Sequence, residues 1–210
     1  MDKLIIFDLD DTIFETRTIT KKSISSILEE FKSVVIHKYG SKLTNQIISD
    51  FWGFPFDVIA QKYQLDEYVK LEMIKSINQS NFELNIKPYK DFDFFNKIDI
   101  EKILVTTGFD KIQQAKIKSL GIERMFSKIY IDNILDPNRI FKKGIFTKII
   151  NEKKIKKELV YIIGDNPESE LKAGYELGLQ TIQVAKLKQK KSKYSTYIIY
   201  DFNELNDIIK

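Results

Sequence analysis

The chain has 210 residues, 43% hydrophobic and 30% charged, enough for one large domain or a core with a smaller partner. Its net charge of +4 is carried almost wholly by lysine, with Arg17, Arg124 and Arg139 the only arginines, so a surface that reads bases through guanidinium forks is disfavoured and no nucleic acid is expected as partner. The absence of cysteine excludes disulfides, zinc–thiolate sites and thiol nucleophiles, and no apolar run approaches the ~18 residues of a membrane span.

The first apolar run, KLIIFD (3–8), is too short for a helix and reads as a buried strand. Acids follow it at once, which is unlike a signal peptide, so the expected setting is cytoplasmic. From Phe14 to about Ile86 no strand is read. KKSISSILEEFKSVVIHKYG places Ile24, Ile27, Leu28, Phe31, Val34 and Val35 on a helical stripe, with Gly40 as its stop. TNQIISDFW, FDVIAQKYQ and DEYVKLEMIKSINQ look helical too. Phe51, Trp52, Phe54 and Phe56 read as the core of this helical unit, with a substrate-facing wall around Gly53-Phe54-Pro55 as the alternative. His37, the only histidine, reads as solvated.

Beyond KPYKDFDFFNKI the strands return as KILVTTG (102–108), KIYID (128–132), LVYIIGD (159–165), QTIQVA (180–185) and YIIYDF (197–202). Between them, FDKIQQAKIKSLGI has Ile112, Ala115 and Leu120 at helical spacing and stops at Gly121. NPESELKAGYELGL has Pro167 in its first turn, early acids and a stop at Gly178. The lysine-rich KLKQKKSKY (186–194) reads as a solvated loop. Alternating strands and helices predict an α/β, Rossmann-like three-layer sandwich with a mainly parallel sheet, interrupted by an all-helical insertion.

Ligands of such sheets bind outside the carboxyl ends of the strands. Three strands end in reactive groups: Asp8-Leu9-Asp10, Thr106-Thr107-Gly108 and Gly164-Asp165. Continued extension past Asp8 points Asp8 and Asp10 the same way. With Asp165 they bring three carboxylates toward one point, a crowding that a cation would hold together. Oxygen ligands without His or Cys select a hard ion, and Mg²⁺ is the expected cofactor. Asp11 reads as a turn residue.

DLDDTIF, ILVTTG and IIGDNPESE, in this order and each behind a predicted strand, resemble the motifs of the haloacid dehalogenase (HAD) superfamily. The resemblance implies a catalytic core over 1–15 and 87–210 and a helical cap over 16–86 that closes on the site. It implies that Asp8 is the nucleophile and becomes an aspartyl-phosphate, and that Asp10 is the general acid/base, with its backbone carbonyl on Mg²⁺. Asp165 is then a further metal ligand, and Glu170 stands where the family has a second acid, as a ligand or a brace. Thr106, with Thr107 and the amides near Gly108, would bind the phosphoryl oxygens. A lysine is expected in NRIFKKGIFTKI, with Lys143 preferred to Lys142. Because relatives that dehalogenate lack an acid at the position of Asp10, the resemblance implies hydrolysis of a small phosphorylated metabolite: a sugar phosphate, a nucleotide or phosphoglycolate. A phosphomutase on the same core, or a non-catalytic phosphate- or protein-docking module, are the alternatives.

Overall fold

The apolar runs form six strands: β1 (Leu4–Phe7), β2 (Glu101–Gly108), β3 (Lys128–Asn133), β4 (Val160–Gly164), β5 (Gln180–Val184) and β6 (Tyr197–Ile199). All pair in parallel, in the order β3-β2-β1-β4-β5-β6. The structure is a computed structural model that describes residues 3–19, 25–51, 54–186 and 189–209, and of residues 25–28 the backbone alone.

β1 lies in the middle of the sheet and is buried on both sides, which explains its unbroken apolar sequence. Ile5 and Phe7 point into one layer with Leu104, Ile163, Phe95 and Phe202. Leu4 and Ile6 point into the other with Ile103, Val105 and Ile162. The first layer includes the Phe92, Phe94 and Phe95 turn of KPYKDFDFFNKI, where Phe95 meets Phe7 edge-on at 4.5 Å between centroids. Four helices complete this core: α4 (Asp110–Leu120), α5 (Phe141–Lys153), α6 (Lys172–Leu177) and the short α7 (Leu205–Ile208), and α5 packs Ile145, Phe146 and Ile149 on the second layer. α4 and α6 end where read, at Gly121 and Gly178, whose φ of 66° and 74° give the left-handed cap.

Between β1 and β2 the chain builds α1 (Ser25–Asp50), α2 (Phe56–Lys62) and α3 (Glu67–Gln79). Gly40 does not stop the first helix: it breaks it, with φ 75° and ψ 166°, and the helix resumes to Asp50. The Thr44 hydroxyl donates to the Gly40 carbonyl at 2.7 Å, supplying one partner at the break. Phe31, Val35, Ile47, Phe56, Ile59 and Met73 form a separate apolar cluster of these helices, which the core enters through Phe109. Phe56 and Phe109 rings lie 5.5 Å apart. Arg139 ties the two parts, donating to Asp57 of α2 at 2.5 Å and to buried Asp132 of β3 at 2.6 Å. His37 is exposed, as read. Ile24, Trp52 and Gly53, and the side chains of Ile27 and Leu28, lie outside the described residues.

In the lysine-rich segment, Lys186 departs from the solvated reading, pairing with Asp91 and donating to the Tyr200 carbonyl. Among the described residues no helix is long and apolar enough to cross a membrane.

Candidate active site

The strand order reverses between β1 and β4, and both strands deliver carboxylates beyond their carboxyl ends at that crevice. The Asp8 amide still donates to the Ile163 carbonyl at 2.9 Å, so the pairing of β1 with β4 fixes where its side chain starts. Beyond it the chain turns sharply. The Ile13 amide reaches back to the Leu9 carbonyl, Asp11 adopts φ 52°, and its carboxylate accepts from the Thr16 amide at 2.8 Å. Thr12 donates to Asp165 at 3.3 Å across this crevice.

Asp8 is buried and pairs with Lys142 at 2.7 Å. The same ammonium lies 2.7 Å from Glu170, also buried. Burial disfavours the Lys142 ammonium, but the Asp8 and Glu170 charges outweigh it and hold its pKa above the ordinary lysine value. Lys143, the preferred lysine of the sequence reading, is corrected by this geometry. It points to the surface and pairs with Glu176. Successive residues of a helix point about 100° apart, so at the start of α5 only one of two adjacent lysines can face the sheet.

Burial pushes the Asp8 carboxyl up to about 7 against the pull of Lys142. Burial and then repulsion from Glu170, Asp8 and Asp11 push Asp165 up to about 9. One carboxylate oxygen each from Asp8, Asp165 and Glu170 lie within 4.8 Å of one another, and the donor set is all oxygen. Crowded acidic oxygens of this kind fit a hard divalent cation, whose charge would relieve the repulsion. The Asp10 carboxylate stands outside this trio.

Glu170 is held at both ends. One oxygen accepts from Lys142 and the other from the Asn166 amide, each at 2.7 Å. It lies so close to Gly164 that a Cβ there would come within 2.3 Å of it, which gives the glycine of IIGD a packing reason.

Thr106 is buried and accepts from Gln113 Nε2 at 2.5 Å, which leaves its hydroxyl proton free for another acceptor. Thr107 differs: its hydroxyl donates to Asp132 at 3.1 Å, and its carbonyl accepts from Gln113 at 3.2 Å. Thr107 lines the same cavity, but its hydroxyl is engaged by Asp132, its partner in register on β3 and so on the same face of the sheet.

Two residues of α4 were missed by the sequence reading. Gln113 Nε2 donates to Asp10 Oδ2 at 2.9 Å and Lys116 Nζ to Asp10 Oδ1 at 2.7 Å, so both oxygens of Asp10 are held from the core. Of the stripe read as Ile112, Ala115 and Leu120, Leu120 is buried as read, and Gln113, Lys116 and Ile117 complete the buried face in place of Ile112 and Ala115. A glutamine and a lysine at core-facing positions, three apart, were the available signal.

These groups open into one cavity of about 270 Å³. Its floor is polar, and its far wall carries Phe51, Phe54, Phe56, Met73 and Phe82 from the helical insertion. Phe51 and Phe56 stack at 5.8 Å in the apolar cluster of the insertion, as the core reading has it, whereas Phe54 is 51% exposed and lines the cavity with Pro55, where the alternative reading put a wall.

The chain is 25% identical to glyceraldehyde 3-phosphate phosphatase of Methanocaldococcus jannaschii, covering 100% of this chain and 98% of that one. It is 23% identical to the protein of the same name from Pyrococcus furiosus, over 99% and 93% of the two chains. Among solved structures, the magnesium-bound HAD-hydrolase YfnB of Bacillus subtilis matches with a TM-score of 0.65 at 18% identity, covering 100% of this chain and 99% of that one. Residues 5–184 match the model of the haloacid dehalogenase-like hydrolases, and the chain belongs to that family.

Proposed function

We propose that this hydrolase is a Mg²⁺-dependent phosphatase that cleaves a small sugar phosphate through an aspartyl-phosphate on Asp8. One observation carries the reading: a buried Asp8 held by Lys142, with Asp165, Thr106 and Asp10 converging on the same cavity. The relatives named as glyceraldehyde 3-phosphate phosphatases support a short sugar phosphate, and a cavity of about 270 Å³ suits the small end of the ligand range.

Asp8 and Asp165 would hold the ion, while Glu170 braces Lys142 and the segment behind β4. When bound, Mg²⁺ neutralises charge at phosphorus and lets an anionic nucleophile approach an anionic ester. A carboxylate oxygen of Asp8 attacks phosphorus, and the bond to the alcohol oxygen breaks as Asp10 gives that oxygen its proton. Water then attacks the acyl phosphate, Asp10 takes its proton back, and inorganic phosphate leaves Asp8 free. Lys142 fixes the Asp8 side chain and offsets its charge. Thr106, with its oxygen occupied by Gln113, donates its hydroxyl proton to a phosphoryl oxygen. The three helices between β1 and β2 act as a cap, excluding water from the acyl phosphate until hydrolysis.

The test is phosphate release from a panel of phosphomonoesters, with Mg²⁺ and with EDTA, for the native chain and Asp8→Asn. Turnover that needs the metal and disappears in the variant, by ~10⁴-fold or more, supports the reading. Hydrolysis of none of them by a protein that still binds Mg²⁺ would overturn it.

A further inference from the structure

We infer, resting on the phosphatase reading above, that the chamber around the leaving group takes an uncharged alcohol and rejects one that carries a second anion. The wall beyond the strand ends is apolar, with Phe54, Met73 and Phe82 from the insertion and Phe109, Ile112 and Ile134 from the core. Among the described residues that line the cavity the cations are Lys116 and Lys142. Each is already 2.7 Å from a carboxylate, Asp10 and Asp8 respectively. Lys62, which lies over the Phe54 ring at 5.6 Å, is tied to Asp50 at 2.7 Å.

The same cavity collects the carboxylates of Asp8, Asp10, Asp11, Asp165 and Glu170. A phosphoryl group has its compensation at the strand ends, where Lys142, Thr106 and the metal-binding acids converge. A carboxylate or second phosphate on the alcohol has none among the described residues. It would lie against apolar carbon, facing like charges, with every lining cation of the described residues already engaged. An anion desolvated without a partner is strongly disfavoured, whereas an aldehyde or hydroxyl loses far less on the same transfer. Rejection by unpaired charge is a form of specificity that needs no contact with the favoured substrate.

The experiment compares kcat/KM, with Mg²⁺, for glyceraldehyde 3-phosphate, 3-phosphoglycerate and phenyl phosphate. The first two share a carbon chain and differ in an aldehyde against a carboxylate. Both uncharged esters are expected to exceed 3-phosphoglycerate by on the order of 10²-fold. A second variant sharpens the result. Phe54 is 51% exposed, so Phe54→Arg adds a cation to the wall without opening the core. It is expected to raise kcat/KM for 3-phosphoglycerate roughly tenfold relative to that for phenyl phosphate. If 3-phosphoglycerate matches or exceeds either uncharged ester in the native enzyme, the inference is wrong while the phosphatase reading stands. If no ester is cleaved, the phosphatase reading itself falls and this inference with it.

Discussion

The two halves that meet at the cavity present opposite chemistry to it, although each packs on apolar residues of its own. The core half brings buried charges to it: Asp8, Lys142 and Glu170 are each nearly inaccessible and depend on one another. The insertion half is apolar, its cluster built from Phe31, Val35, Ile47, Phe56 and Met73. Burying charges is costly and gives little net stability, so the core half reads as an investment in chemistry. Burying apolar area is what holds a small helical unit together, and its surplus aromatic surface becomes the cavity wall. On the proposed reading, the difference gives reaction to one half and selection to the other.

Breaking the charged half should have the largest effect. Lys142→Met leaves two buried carboxylates without their cation, and a loss of roughly 3–5 kcal/mol is expected in urea unfolding with EDTA present, together with loss of turnover. An unchanged unfolding midpoint would show that the trio is not the buried unit described. In the apolar half, Phe31→Ala should cost a similar ~3–5 kcal/mol, because the side chain is fully buried. Here the loss should stay local: hydrogen exchange is expected to speed up over α1 to α3 and hold steady in β1 and β4. Uniform acceleration would mean that the halves unfold as one.

Gln113→Leu addresses the seam between acid and phosphate binding. It removes one donor from both Asp10 and Thr106, and a fall in kcat of ~10²-fold is expected from misplacement alone, with the melting temperature little changed. Mg²⁺ supplies a milder test. At about 100 times its dissociation constant it should stabilise the protein by ~2.7 kcal/mol, seen as a raised melting temperature, and Asp165→Asn should abolish most of that gain. The smallest effect belongs to Lys143→Met, within about 0.5 kcal/mol and without consequence for kcat, because its partner Glu176 is a surface residue.

All six strands, their parallel pairing and the helical interruption were legible from the chain, because period and length of apolar runs reflect which faces are buried. So was the gathering of Asp8 and Asp165, since strand order in such sheets leaves only one crevice for strand-end acids. Helix termini at Gly121 and Gly178 followed from local conformational preference alone. Gly40 did not, because a break and a stop look the same until the next turn finds its packing partners. Which of the two adjacent lysines pairs with Asp8, the hold of Gln113 and Lys116 on Asp10, and the bond of Thr107 to Asp132 were decided only by the tertiary structure. In each case the sequence supplies the right residue type nearby, but rotation about a helix or alternation along a strand selects its neighbour. Arg139 joins Asp57 to Asp132 across 82 and 7 residues of chain, a link that no local pattern encodes. Local periodicity reports burial, and contacts between side chains distant in sequence depend on the packing of elements against each other.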